Sequence, residues 1–206
     1  LCATCHIPQG EIDFDASIKG AHVAPTASSL LSGLVVNITK VDNGTAGSLP
    51  VVSFNVQDGS ANPVPLSKLS SISFTMAGPT TDYGYTKFGT ATTPGYVTES
   101  ATKATCDANS NCTYTFTHAV PAGSTGTYAI GVEARRTELV LPGDPKQQSI
   151  QYGAKNQVVY FSVDGSPVTP RRDVVALGNC NSCHVSLSLH GTLRNNTEYC
   201  VMCHNP

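Results

Sequence analysis

Charge is scarce in this chain. Only 13% of its 206 residues are Asp, Glu, Lys or Arg, and the net charge is -2. With no excess of positive charge, nothing favours a nucleic acid as partner. Long apolar runs are also missing. None approaches the ~20 residues that a membrane helix needs, so the chain is not expected to span a bilayer, and no signal peptide is visible. Methionine is rare: Met76 and Met202 are the two present. The chain opens on Leu1, Cys2 already belongs to a motif, and the last motif ends one dipeptide before the C-terminus. The expectation is a mature or processed piece, or an ordered part of a longer protein.

Ser, Thr, Gly, Asn and Pro are abundant instead, the composition of a loop-rich, secreted all-β domain. From about residue 34 to 164 the apolar residues alternate. "LVVNITKV" (34–41), "VVSFNV" (51–56), "SISFTM" (71–76), "CTYTFTH" (112–118), "TYAIGVEA" (127–134) and "QVVYFSV" (157–163) all show period two. Val52, Phe54 and Val56 share a face, as do Tyr128, Ile130 and Val132, and then Val159, Phe161 and Val163. One-sided alternation predicts antiparallel strands with one face buried. The turn-rich stretches between them complete the pattern of an Ig-like β-sandwich of roughly seven strands. "GYVTES" and "YGYTKFGT" are expected to supply an eighth or edge strand. The division expected is an N-terminal segment 1–33, a sandwich 34–164 and a C-terminal segment 165–206. The flanking segments are short helix and loop. Asp15 is the expected cap of a helix in "FDASIKGAH", and Asp173 that of a helix leading into the second motif.

The eight cysteines sort without remainder. Cys106 and Cys112 bracket the loop "CDANSNC" between strand-like segments, which predicts a disulfide and an oxidising compartment. The other six form three C-x-x-C pairs: Cys2/Cys5, Cys180/Cys183 and Cys200/Cys203. Three chemistries use such pairs. The sixteen residues between the last two pairs fit a four-cysteine zinc ribbon. That reading leaves Cys2/Cys5 without a partner pair and gives no role to the histidine after each pair. A redox dithiol would sit in a βαβ unit, and no such pattern flanks these pairs. The third is c-type haem attachment by C-x-x-C-H. There two thiols add to the porphyrin vinyl groups, and the next residue's imidazole reaches the iron as proximal ligand. His6, His184 and His204 follow the three pairs directly. At a background histidine frequency of roughly 2–3%, that coincidence is on the order of one in 10^5. Three covalent haem c groups are therefore expected. They would also give the C-terminal segment the apolar core that its own residues cannot form.

The sixth ligands must then come from elsewhere. Met202 lies inside "CVMCH" and is poorly placed, while Met76 ends a strand and belongs to the core. His22, His118 and His190 remain as distal candidates. His190 follows His184 too closely to reach across the same haem and is expected to cap a neighbouring one. His118 ends a strand and is the weakest of the three. Arg171, Arg172 and Arg194 lie near the motifs, where they could pair with haem propionates.

The tail "RRDVVALGNCNSCHVSLSLHGTLRNNTEYCVMCHNP" resembles a signature of the OmcA/MtrC family of outer-membrane decahaem c-type cytochromes. In it a C-x-x-C-H is followed by "HG", an Arg and a second C-x-x-C-H ending in "NP". The opening "CATCHIPQGEIDFDASIKGAH", "AGPTTDYGY" and "TGTYAIGVEARR" are similar to the same family. The resemblance implies bis-histidine haems, with His190 distal, and an extracytoplasmic site in the periplasm, on the outer cell surface or beyond it. It also implies electron traffic to other multihaem cytochromes, to copies of the chain or to extracellular acceptors. Its departure is size: three motifs here against about ten haems in the family. The leading expectation is an electron carrier rather than an enzyme. One alternative is a terminal metal-oxide, flavin or oxyanion reductase with an open haem site. The second is a structural zinc-binding β-sandwich.

Overall fold

The computed structural model describes residues 7–83 and 95–204. Nine strands form among them: β1 Val35–Asp42, β2 Val51–Gln57, β3 Ser71–Ala77, β4 Tyr96–Ser100, β5 Thr105–Cys106, β6 Asn111–Thr115, β7 Thr127–Val140, β8 Gln148–Gly153 and β9 Gln157–Ser162. They build two antiparallel sheets. One has the order β1-β2-β6-β5. In the other β4, β3 and β7 run side by side, and β7 also pairs with β8 and β9. "GYVTES" is the edge strand β4, whereas "YGYTKFGT" lies, after Tyr83, outside the described residues. The hairpin β5–β6 carries the Cys106–Cys112 disulfide. Its loop closes on Asp107, whose Oδ1 accepts from the backbone N–H groups of Asn109 and Asn111, 2.9 Å each.

The inner faces meet as the alternation predicts. Val52, Phe54 and Val56 pack with Ile72, Phe74, Met76, Phe116, Tyr128, Ile130 and Val132, all at most 1% exposed. Burying side chains of this size stabilises by about 1.5–3 kcal/mol each before the entropy of ordering them is subtracted.

β7 departs from the one-sided expectation. Every residue from Thr127 to Ala134 is buried. Its outer face carries Ala129, Gly131 and Glu133, and helix α3 (Thr197–Cys203) lies against it. Tyr199 and Met202 of α3 join Ala77, Tyr83 and Ala129 in a second, smaller apolar cluster. The C-terminal segment therefore does own some protein core. A Cβ on Gly131 would stand 2.5 Å from the Tyr199 ring, so the glycine makes the socket for α3.

β7 is also shared along its other edge: β9 pairs with its first half and β8 with its second. Asn156 stands at the break, its side chain donating to the carbonyls of Val132 (3.1 Å) and Leu193 (2.8 Å). Asn195 answers it, with reciprocal backbone-to-side-chain bonds of 2.8 Å in both directions. A gap in strand pairing is thus where the C-terminal segment is fastened to the sandwich.

Both expected caps are corrected. Helix α1 (Ile18–Ala21) is capped by Ser17, whose Oγ accepts from the Gly20 N–H at 2.9 Å. Asp15 instead accepts from the Ser17 and Ile12 N–H groups ahead of the helix. Helix α2 (Leu177–His184) begins after Ala176 without a side-chain cap, three residues beyond Asp173.

Candidate cofactor sites

Each described C-x-x-C pair lies on a short helix. Residues three apart in a helix share a face, so Cys180 and Cys183 in α2 point to one side, as do Cys200 and Cys203 in α3. His184 is the last residue of α2, and His204 caps α3 with its N–H on the Cys200 carbonyl. The two motifs thus share one local geometry: paired thiols on a helix face, with an imidazole where the helix ends. None of these four cysteines is in a disulfide. Burial pushes the Cys203 thiol up to about 11 and raises that of Cys200 as well. Among the described residues no three His, Cys, Asp or Glu side chains gather as a metal-ion site. The convergence that a zinc ribbon requires is therefore not found between these two pairs.

A second histidine stands near each motif. Beside α2 a cleft of about 370 Å³ is lined by Cys183, His184, Val185, Leu187, Tyr152 and, from the opposite end of the chain, His22. That volume falls among those of cofactor clefts. His22 Nδ1 is 2.6 Å from the Ile18 carbonyl. A carbonyl only accepts, so Nδ1 carries the hydrogen and Nε2 keeps the lone pair that a metal needs. Beside α3, the rings of His190 and His204 lie 6.0 Å apart, centre to centre. A metal sits about 2 Å from an imidazole nitrogen, itself about 1 Å from the ring centre, so two trans imidazoles stand about 6 Å apart. The His190–His204 pair has that spacing.

The segment around these motifs fits a large apolar group. Val185 is 76% exposed and Leu189 50%, although each lies next to a motif or candidate histidine. Helix α2 buries none of its residues against protein. Val185, just past His184, has a φ of +58°, rare for a β-branched residue.

The remaining predicted residues fall elsewhere. Cys2, Cys5 and His6 lie outside the described residues. His118 does not join either motif; its Nδ1 is 2.6 Å from Glu99 Oε1 at the end of the sandwich. Glu99 also accepts from the Tyr114 hydroxyl (2.6 Å) and from the N–H groups of Thr117 and His118 (2.8 Å each). Burial acts to raise its pKa, but these hydrogen bonds outweigh it and hold the carboxyl below its usual range. Met76 and Met202 are both buried in apolar clusters. Arg171 is buried with its guanidinium 4.8 Å from the Tyr83 ring centre, and Arg194 pairs with Glu133 at 2.8 Å, whereas Arg172 is exposed. The residues that sequence reasoning missed are those of the fastening: Glu133, Asn156, Asn195 and Gly131. Only the glycine in an otherwise regular strand pattern hinted at one of them.

A β-sandwich with C-x-x-C-H motifs on short helices, α3 lying against its outer face, is what the resemblance to multihaem c-type cytochromes implies. The comparisons with known proteins agree. No family model matches the chain. Among curated proteins, the multiheme cytochrome MtrC of Shewanella baltica (strain OS185) is 28% identical over 185 residues, covering 82% of this chain and 27% of that one. Among solved structures, the outer membrane decaheme cytochrome OmcA matches with a TM-score of 0.56 at 14% identity, over 85% of this chain and 28% of that one. The OmcA match concerns the fold alone. The resemblance to the OmcA/MtrC cytochromes is thus met in sequence by one and in fold by the other. This chain spans about a quarter of the length of each.

Proposed function

We propose that the chain carries electrons through three covalently attached haems, held by Cys2/Cys5, Cys180/Cys183 and Cys200/Cys203 with His6, His184 and His204 as proximal ligands. The observation that carries this reading is the second histidine near each described motif: His22 lining the same cleft as His184, and His190 6.0 Å from His204. His22 then caps the Cys180 haem and His190 the Cys200 haem. A haem iron with histidine on both sides exchanges one electron between its ferric and ferrous states and admits no substrate. The protein's part is to hold each pair of imidazoles at a fixed spacing and to bury the ring edges.

The sandwich is the rigid scaffold in this reading, and residues 1–33 and 165–206 are its haem-bearing flanks. The disulfide suits an oxidising, extracytoplasmic location, in the periplasm or at the cell surface. Electrons pass to other multihaem cytochromes or to further copies of the chain, and from there to extracellular acceptors.

Carbon monoxide titration of the dithionite-reduced holoprotein tests the assignment. The wild type is expected to bind none at the Cys180 and Cys200 haems. His22→Ala opens the first and His190→Ala the second, each adding one binding equivalent. Absence of sharp c-type bands after reduction sinks the haem reading. Binding by the wild type at either of those haems sinks the bis-histidine one in favour of an open, reductase-like site.

A further inference from the structure

The turn that presents His190 lies beside a patch of buried donors that lack an acceptor. Leu189 and Arg194 close the turn with two backbone hydrogen bonds of 2.8 and 3.1 Å. Arg135, on the outer face of β7, reaches it. Its Nη1 donates to the Gly191 carbonyl at 3.0 Å, while its Nε is buried and has no hydrogen-bond partner among the described residues. Ser71 of β3 is the residue directly across from Arg135, so the two side chains share a face. The Ser71 hydroxyl is buried without a hydrogen bond, and so is that of Thr192 in the turn. Buried polar atoms in this state cost free energy until an acceptor reaches them.

The charge is unmatched as well. Arg136 pairs with Glu138 at 3.3 Å and Arg194 with Glu133 at 2.8 Å. Glu133, two residues before Arg135 on the same face, is thereby taken. Among the described residues no ion pair forms to Arg135. Three donors around one positive charge suit an anion, and the planar fork of a guanidinium fits a carboxylate best.

Position selects the carboxylate. Helix α3 sits on Gly131, and Arg135 lies four residues farther along the same face, about 13 Å at the rise of a strand. A haem c is tied through its vinyl edge. With thioethers at Cys200 and Cys203, its two propionates leave from the edge that faces away from α3. The turn that Arg135 holds carries His190, 6.0 Å from His204.

We propose that Arg135, with the hydroxyls of Ser71 and Thr192, binds a propionate of the Cys200 haem. The sequence offered Arg171, Arg172 and Arg194 for such a role, but Arg194 is held by Glu133 and Arg171 is buried against Tyr83. Arg135 would then give the haem edge a fixed counter-charge and brace the turn of its distal ligand with the same guanidinium. This inference rests on the reading of a Cys200 haem with His190 as its distal ligand.

The test uses the full holoprotein and four variants: Arg135→Gln, Arg135→Lys, Lys40→Gln and His190→Ala. A positive charge beside a haem favours the ferrous form, which carries one positive charge less. Arg135→Gln should therefore lower the midpoint potential of one haem and shift a propionate-bending band in the resonance Raman spectrum. Arg135→Lys keeps the charge but loses the fork, so it should hold most of the midpoint and still shift the band. Lys40, exposed on the other sheet, is the charge control, and Lys40→Gln should change neither. If Arg135→Gln does not mature, Arg135→Lys carries the test through the band. An unmoved band overturns the proposal. With the band unmoved, a lowered midpoint would mean that the charge acts from a distance or serves another anion. Raised carbon monoxide affinity with the band unmoved would leave Arg135 as a brace of the turn only. Should His190→Ala open no carbon monoxide site, the ligand reading itself falls and takes this proposal with it.

Discussion

Replacing Gly131 by alanine tests whether the sandwich holds helix α3 as described. Gly131 lies in the middle of β7, paired with Thr75 on one side and Val158 on the other. Its added methyl would meet Tyr199 Cδ2 at 2.5 Å, Cε2 at 2.7 Å and Met202 Sδ at 2.9 Å. The Met202 sulfur can swing aside, but the Tyr199 ring cannot. It is fully buried, and its hydroxyl is bound to Thr75 Oγ1 at 2.8 Å. Overpacking of this kind costs about 1–3 kcal/mol. Alanine in a strand interior recovers about 0.5–1 kcal/mol of backbone entropy relative to glycine. With contacts this short the upper part of the overpacking range, about 2–3 kcal/mol, applies, so the net loss is about 1–2.5 kcal/mol, a fall in melting temperature of about 2–10 °C for a chain of this size. Far-UV circular dichroism melts give the stability, and the Soret band of the holoprotein reports whether the α3 site is disturbed. Gly178 is the internal control. It lies in α2 with nothing within 4 Å of a built Cβ and no positive φ, so Gly178→Ala should stabilise by up to about 1 kcal/mol. A Gly131→Ala protein as stable as the wild type would refute the packing argument.

Three further outcomes follow from the geometry. The Cys106–Cys112 bridge closes a six-residue separation, and loop-closure entropy gives it about 2 kcal/mol; the double alanine variant should lose that much in urea titration. Glu99 has a lowered folded-state pKa, so its contribution to stability is complete above its ordinary value of 4.5 and drains away as pH falls through the folded value. The stability difference between wild type and Glu99→Gln, measured from pH 7 down to pH 3, should shrink at the acid end; a constant difference would contradict this. Tyr199→Phe removes one buried hydrogen bond to Thr75 and should cost about 1 kcal/mol, read by the same melts.

The strands were legible because apolar side chains alternate wherever one face of a sheet meets a core. Val52, Phe54 and Val56 announce their shared face in the sequence and are buried together in the structure. The short strands β5 and β8 were not legible. Thr105–Cys106 is too brief to show a period, and Gln148–Gly153 is mostly polar. The two-sided burial of β7 was hidden as well, because its outer face is made of Ala129, Gly131 and Glu133. Small residues can mean solvent or close contact with another element, and local pattern cannot tell the two apart. The cap of α1 was misread for a related reason, while α2 starts three residues past Asp173 with no side-chain cap. Several Asp and Ser residues near a helix start can each accept its N–H groups, and the path of the backbone selects among them. The C-x-x-C-H units were the most legible motif, since each is written in five consecutive residues.

The sequence by itself determined the local chemistry: three C-x-x-C-H units, a cysteine pair spaced for a bridge, and strands with a buried face. Each is written within a few residues, where covalent geometry and side-chain period leave little freedom. Pairing distant groups belonged to the tertiary structure alone. It brought His22 into the cleft of His184 across more than 150 residues of chain, and set His190 beside His204. It also turned Glu133, in the middle of a sandwich strand, into the anchor of Arg194. Such pairings depend on which sheet face α3 covers and on where β8 and β9 part along β7. Those are properties of the packed sandwich, and no short stretch of sequence encodes them.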